Sequence, residues 1–303
     1  MHRRTFLAGT AAGLAGAALG AGGGAQARRP APLLRRPIPS SGEKIPAVGL
    51  GTWQTFDVSG ERIAAVKPVL DRFLALGGRV VDSSPMYGNA EAAVGAMLKA
   101  RGAKAVRPFL ATKVWTSGGA EGAAQMRRSA AQFGVKTIDL MQVHNLMDWK
   151  THLPRMREWK QAGTFRYIGV THYQHGAFDE LEQIIRKEKI DTVQLPCSVI
   201  DREAEKRLLP AAADAGVAVL VLSPFESGAL FRRVKGKALP AYAADIDCTS
   251  WAQVFLKFLL GHRAVTCPLP ATDKVSHLED NLGALRGRLP DEKLRDRIAR
   301  DLS

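Results

Sequence analysis

Short apolar runs rich in β-branched residues recur along the chain at residues 80–81, 109–112, 138–143, 167–170, 192–195, 218–222 and 264–269, mostly about thirty residues apart. Apolar runs without an apolar/polar alternation predict strands buried on both faces. Between them, residues 61–76, 89–100, 120–133, 154–162, 178–187 and 203–215 form amphipathic stretches, which predict helices. Strands and helices in alternation point to a parallel sheet covered by helices. With residues 48–52 as the first strand there are eight, which favours an α/β fold of the closed (β/α)8 TIM barrel type over an open doubly wound sheet. Ahead of the first strand, Ser40-Ser41-Gly42 within residues 38–45 predicts an N-terminal hairpin. The longest gap, before a helix at residues 250–260, holds residues 231–247 and reads as a surface excursion.

Composition changes this picture only at the N-terminus. The 303 residues, 46% hydrophobic and 24% charged, suit one globular domain, and a single barrel takes about 250 residues. Residues 1–27 stand apart: Arg3-Arg4 ahead of Phe6-Leu7, an uncharged run over residues 8–25, and Ala25-Gln26-Ala27. A charged start, an apolar run and a small-x-small site make an export signal, here of the twin-arginine type. Cleavage after Ala27 is expected in preference to retention as a membrane anchor, because the run is rich in glycine and weakly hydrophobic. Residues 28–37, with three prolines and four arginines, read as a linker, and residues 38–303 as the barrel. The expected location is therefore bacterial periplasm or exterior, with the folded protein carried by the twin-arginine machinery. Gly20-Ala21-Gly22-Gly23-Gly24-Ala25 fits a dinucleotide-binding pattern but follows no strand, and is set aside.

The formal charge of +14 includes Arg3, Arg4, Arg28, Arg29, Arg35 and Arg36, and no acidic residue stands before residue 37. The remaining cations are spread over helical faces, which argues against a nucleic-acid groove. Cys197, Cys248 and Cys267 are odd in number and lack a C-x-x-C pair, so buried thiols are expected, with one bridged pair as the alternative. No third ligand joins His172 and His175, and no metal site is expected.

In a (β/α)8 barrel chemistry gathers at the carboxyl ends of the strands. Those ends and their loops hold Asp82, Tyr87, Lys113 and His144: a carboxylate, a phenol, an ammonium and an imidazole at one mouth. An ammonium beside a phenol favours the phenolate and lowers a pKa otherwise near 10, so Lys113 is expected to activate Tyr87 while Asp82 holds Lys113 charged.

Several segments carry a resemblance: Val48-Gly49-Leu50-Gly51-Thr52-Trp53, residues 81–89 around Asp82 and Tyr87, Ala111-Thr112-Lys113-Val114-Trp115, residues 138–144 ending in His144, Ile168-Gly169-Val170-Thr171-His172 and Val193-Gln194-Leu195. From Ile38 to about Leu289 the chain resembles the aldo-keto reductase family. The resemblance implies an oxidoreductase that reduces an aldehyde or ketone to an alcohol, with hydride from NAD(P)H and Tyr87 as general acid. It carries the catalytic tetrad onto Asp82, Tyr87, Lys113 and His144, and the substrate pocket onto Trp53 and Trp115.

For the cofactor it implies Gly51, Thr52, Thr171, His172, Gln194, Leu222, Ser223, Pro224, Phe225, Pro270, Thr272, Lys274, His277 and Asn281. The chain departs from the family's pattern at some of these. His172 replaces an Asn, and Leu222 an aromatic residue. Ala271 replaces a Lys and His277 an Arg, leaving Thr272 and Lys274 to meet a 2′-phosphate; NADP(H) is nonetheless expected ahead of NAD(H). Short loops imply an open, permissive pocket for a small carbonyl substrate. His172 and Leu222 sustain an alternative, an exported nucleotide-binding or sensor protein that retains barrel and tetrad without significant turnover.

Overall fold

The computed structural model describes residues 32–102 and 105–302. A short antiparallel pair, β1 (Arg35–Pro37) and β2 (Lys44–Pro46), precedes the barrel. Its staves are β3 (Leu50–Gly51), β4 (Val80–Asp82), β5 (Phe109–Val114), β6 (Ile138–His144), β7 (Phe165–Thr171), β8 (Thr192–Pro196), β9 (Ala218–Leu222) and β10 (Val265–Pro268), each parallel to the next. Between them run α1 (Ile63–Ala75), α2 (Ala90–Arg101), α3 (Gly119–Phe133), α4 (Trp149–Gln161), α5 (Phe178–Lys187), α6 (Glu203–Lys206) and α7 (Leu208–Ala215). Next come α8 (Ala229–Arg233), α9 (Tyr242–Asp245) and α10 (Trp251–Gly261), and after β10 come α11 (Val275–Gly283) and α12 (Glu292–Leu302).

The sheet closes where the N–H groups of Gly49 and Gly51 donate to the carbonyls of Pro268 and Pro270, both at 3.0 Å. The backbones approach closely at this seam, which favours small residues: a Cβ on Gly49 would sit 2.6 Å from Leu269 Cδ2 and 3.1 Å from the Val80 carbonyl oxygen. The expected (β/α)8 barrel is thus the observed architecture.

Alternate residues of each stave face inward. Val80, Phe109, Ala111, Leu140, Tyr167, Ala218, Leu220, Cys267 and Leu269 fill the interior and pack with Ile38 and Ile45 of the hairpin region, which plugs the end where the strands begin. The residues between them, such as Val81, Leu110, Met141, Val143, Ile168, Val193 and Val221, pack outward in the helix-covered layers. Towards the carboxyl ends the inward positions turn polar, as Asp82, Lys113, Gln142, Thr171 and Gln194. This change along the barrel axis is what creates a site.

Two expectations are corrected, and one element is added. The linker does not extend to Pro37: Leu34 donates to the Leu285 carbonyl at 2.9 Å and its own carbonyl accepts from Ala47 at 3.0 Å. Arg36 donates to the carbonyls of His262 at 2.8 Å and Arg263 at 3.1 Å, and to those of Leu260 and Val265. Its guanidinium serves the end of α10 and the start of β10, where carbonyls lack helical partners. Residues 231–247 are no mere surface excursion, since Val234, Tyr242, Ala243 and Ile246 join the main core. Helix α12 was not anticipated; Ile298, Ala299 and Leu302 bury its apolar stripe in the same core. The leader expected at residues 1–27 lies outside the described residues. No helix among the described residues is long and apolar enough to cross a membrane.

Arg36→Ala removes the shared donor of four carbonyls, and a loss of about 2 kcal/mol of stability is expected. Urea denaturation measures it; an unchanged midpoint would show that the clasp contributes nothing.

Candidate active site

Asp82 ends β4, His144 ends β6, and Lys113 is the last inward residue of β5. Lys113 is 1% exposed, and its Nζ donates to Asp82 Oδ2 and to the Ser83 carbonyl, each at 2.7 Å. Asp82, 3% exposed, also accepts at Oδ1 from Gln142 Nε2 at 3.4 Å and at Oδ2 from Gln194 Nε2 at 3.3 Å. Gln142 further donates to Gln194 Oε1 at 3.2 Å. Charges buried this deeply are tolerable only when paired and hydrogen-bonded, and these are both.

Tyr87 lies in the loop after β4, half-buried, with Lys113 Nζ 5.0 Å from its ring centre. Its ring meets that of His144 edge-on at 5.9 Å, and Trp115 approaches His144 at 6.5 Å. The loop is fixed on both sides of the tyrosine: its N–H donates to the Ser84 carbonyl at 3.0 Å, and Asp57 accepts from the backbone and side chain of Asn89 at 2.8 and 3.0 Å. Gly88, at φ +60°, passes so close to Asp57 that a Cβ would lie 2.3 Å from its carboxylate. Only glycine meets both demands.

The field at the site differs from expectation in one respect. Burial pushes the Tyr87 phenol above its ordinary value, against a downward pull from Lys113 and with an upward push from Asp82. The ammonium was expected to prevail. Because it is paired with Asp82, the two charges partly cancel at the phenol, and desolvation decides the direction. Burial pulls the Lys113 ammonium down, but the attraction of Asp82 and Tyr87 more than offsets it and holds Lys113 above its usual range. His144 is driven down to about 2 by burial, with repulsion from Lys113 and His172 adding to it, so its imidazole is neutral at any ordinary pH.

All four residues line one cleft of about 860 Å³, together with Gly51, Thr52, Gln194 and Pro270. Thr171 and the segment Leu222-Ser223-Pro224-Phe225 line it too. Among the expected cofactor residues, His172, Thr272, Lys274, His277 and Asn281 do not. His172 stacks on Tyr173 and accepts the Gln174 N–H at Nδ1, while Thr272 accepts the Lys274 N–H at the entry to α11. Trp53 and Trp115 are exposed in the cleft, and Met86, Tyr173 and Phe231 are exposed beside them. The three cysteines are free buried thiols, which burial holds above their ordinary pKa, Cys248 at about 11.

Sequence reasoning missed several residues of this cleft and its surroundings. Gln142 stands two places before His144 on an inward-facing stave, a spacing that would have shown it. Phe231 fell in the segment taken for a surface excursion. Gln54, Asn145 and Ser227 line the cleft with φ between 49° and 61°; Ser223, which was expected there, and Leu146, Asp148 and Glu226 in the same loops share that left-handed backbone. Such residues cost about 1 kcal/mol or more each and cluster where loop shape serves function.

Residues 47–297 match the sequence profile described as the Aldo/keto reductase family, and the chain belongs to that family. An uncharacterized oxidoreductase of Schizosaccharomyces pombe is 31% identical over 167 residues, covering 54% of this chain and 52% of its own length. The NADH-specific methylglyoxal reductase of Escherichia coli is 24% identical over 298 residues, covering 83% of this chain and 88% of its own. An aldo-keto reductase from Klebsiella pneumoniae, solved in complex with NADPH, superposes with a TM-score of 0.73 at 20% identity over 89% of this chain and 96% of that one.

The neutral His144 has a measurable consequence. Unfolded, it takes up a proton near its ordinary 6.5; folded, it resists protonation down to about 2. Between those values the unfolded chain holds the extra proton, so stability falls as pH drops below 6.5, by up to about 1.4 kcal/mol per unit from this residue. His144→Gln is expected to flatten that acid limb in denaturation curves, and an imidazolium NMR signal from folded wild type near neutral pH would contradict the assignment.

Proposed function

We propose that the protein is an NAD(P)H-dependent carbonyl reductase that converts an aldehyde or ketone to an alcohol, with Tyr87 as the proton donor. The observation that carries this reading is the buried Lys113–Asp82 pair beneath Tyr87, with neutral His144 beside the phenol on the wall of one cleft.

A phenol held above its ordinary pKa is fully protonated at neutral pH and keeps its proton until a stronger acceptor forms. Carbonyl oxygen becomes such an acceptor as hydride reaches its carbon. Negative charge then develops on Tyr87 beside the Lys113 ammonium, so Lys113 acts on the transition state more than on the resting phenol. Asp82 keeps that ammonium charged and fixed. A ring N–H of His144 polarises and orients the carbonyl.

The cleft suits the nicotinamide end of the cofactor. The Thr171 hydroxyl makes no hydrogen bond within the protein among the described residues, Gln194 stands beside it, and Leu222 offers an apolar face in place of an aromatic ring. Thr171, Gln194, Leu222 and Ser223 would hold that end, and Gly51, Thr52, Pro270 and the residues about α11 the remainder. When bound, the cofactor supplies the hydride. Lys274 and His277 are exposed and form no ion pair among the described residues, which leaves both free for a 2′-phosphate and favours NADP(H) over NAD(H). The apolar side chains of Trp53, Met86, Trp115, Tyr173 and Phe231 around the cleft favour bulky apolar carbonyl compounds.

Export completes the reading: residues 1–27 serve as a twin-arginine leader, and the protein works in the periplasm or outside the cell. A route that moves folded proteins lets the cofactor cross already bound.

Tyr87→Phe is expected to reduce aldehyde turnover by at least about a hundredfold while NADPH binding, followed by fluorescence, stays unchanged and tighter than NADH binding. Undiminished turnover would end the assignment; tight binding without turnover in the wild type would favour a nucleotide sensor. Changing Arg3 and Arg4 together to Lys is expected to hold the full-length chain in the cytoplasm of a bacterial host, against a mature N-terminus at Arg28 in the unaltered protein. Fractionation with N-terminal sequencing decides it.

A further inference from the structure

We infer that Ser84 is a positioning residue that sets the tautomer of His144, keeping Nδ1 as an unprotonated acceptor and presenting Nε2–H to the cleft. Ser84 sits two residues beyond β4 and is wholly buried. Its Oγ lies 3.0 Å from His144 Nδ1, and it accepts the backbone N–H of Met86 at 3.3 Å.

A hydroxyl carries one proton and can accept at its lone pairs. Met86 approaches Ser84 Oγ as a donor, so the Ser84 proton must go elsewhere. Among the described residues the one acceptor in hydrogen-bond contact with it is His144 Nδ1. If Nδ1 instead bore the ring proton, Oγ would accept twice and its own proton would be stranded in a buried site, which folded proteins avoid.

With Nδ1 accepting, the proton of the neutral ring resides on Nε2. That nitrogen makes no hydrogen bond within the protein among the described residues, and His144 lines the cleft. A donor therefore faces the space where a carbonyl oxygen would lie. The opposite tautomer would offer a lone pair there and repel that oxygen. Ser84 and the Met86 amide that directs its proton belong to one short turn just past β4, so the segment following Asp82 also governs the imidazole on β6. The catalytic consequence rests on the proposed carbonyl reduction, whereas the tautomer rests on the hydrogen bonds alone.

The test is long-range ¹H–¹⁵N NMR of the full chain labelled with ¹⁵N-histidine, with His144→Gln identifying the His144 signals among the seven histidines. Wild type is expected to show an acceptor-type Nδ1 and a protonated Nε2. Ser84→Ala should give a mixture of tautomers and a kcat lower by about tenfold, with cofactor affinity unchanged. Ser84→Thr, which keeps the hydroxyl, should restore both. A wild-type spectrum with the proton on Nδ1 overturns the inference, as does a Ser84→Ala spectrum that retains the pure Nε2–H form. The spectrum of the wild type is decisive even if the Ala variant fails to fold. If the tautomer is as inferred but wild type reduces no carbonyl compound, the proposed function falls and the role of Ser84 stands.

Discussion

A lysine and an aspartate buried in the mouth of a barrel constrain almost everything around them. Neither charge is tolerable there alone: taking one partner away would strand the other in a dry site, at a cost of several kcal/mol. The pair is stable because it is also saturated, by the Ser83 carbonyl on the lysine and by Gln142 and Gln194 on the aspartate. The pair itself spans β4 and β5, and its partners lie on β6, on β8 and just past β4, so the network is correct only when these staves hold their register. A slip of one residue would turn each inward side chain outward. The ion pair ties the chemistry of the site to the geometry of the wall.

The reading by hydrophobic pattern succeeded where one physical rule dominates. Parallel strands sandwiched between an interior and a helical layer must be apolar on both faces, and that signal marks β4 to β10 plainly. Asp82, Lys113 and His144, which the structure brings to one cleft, stood out for the opposite reason, since they interrupt such runs where an apolar residue would be cheaper. Gln142 interrupts its run equally but was passed over, because an uncharged side chain stands out less. The linker reading failed at Arg36, as charge was read as a sign of solvent exposure, and a guanidinium can instead satisfy several backbone carbonyls at once. The direction of the Tyr87 shift was misjudged because sequence names the neighbours of a group but not how far each is desolvated, nor that one neighbour's charge is offset by another's.

The residues expected to meet the cofactor divide along the same line. Those on staves, such as Thr171 and Leu222, and Gln194 with them, fall in the cleft because barrel geometry puts them there, whereas His172, one place past its stave, turns aside onto Tyr173. Those on and around α11 depend on how that helix lies against the barrel, which no periodicity records. The strained loops after β3, β6 and β9 belong to the same category: at Gln54, Asn145 and Ser223 the backbone takes conformations that the residue types do not demand. Rigid staves below and costly loops above divide the labour of stability and recognition.

The clasp at the N-terminus bears on how the chain folds. Arg36 binds carbonyls 224 to 229 residues further on, and the seam joins Gly49 and Gly51 to Pro268 and Pro270. This early segment of the barrel thus finds its partners only after nearly all the rest has emerged. Closing so long a loop costs entropy that is recovered only once the final stave is present. Closure is therefore a late event, and until it occurs the edge of β3 offers unpaired amides to any passing strand. The barrel accordingly has no half that could stand as a finished fragment, and loss of either the hairpin with the first stave or the last stave removes the partners of the other.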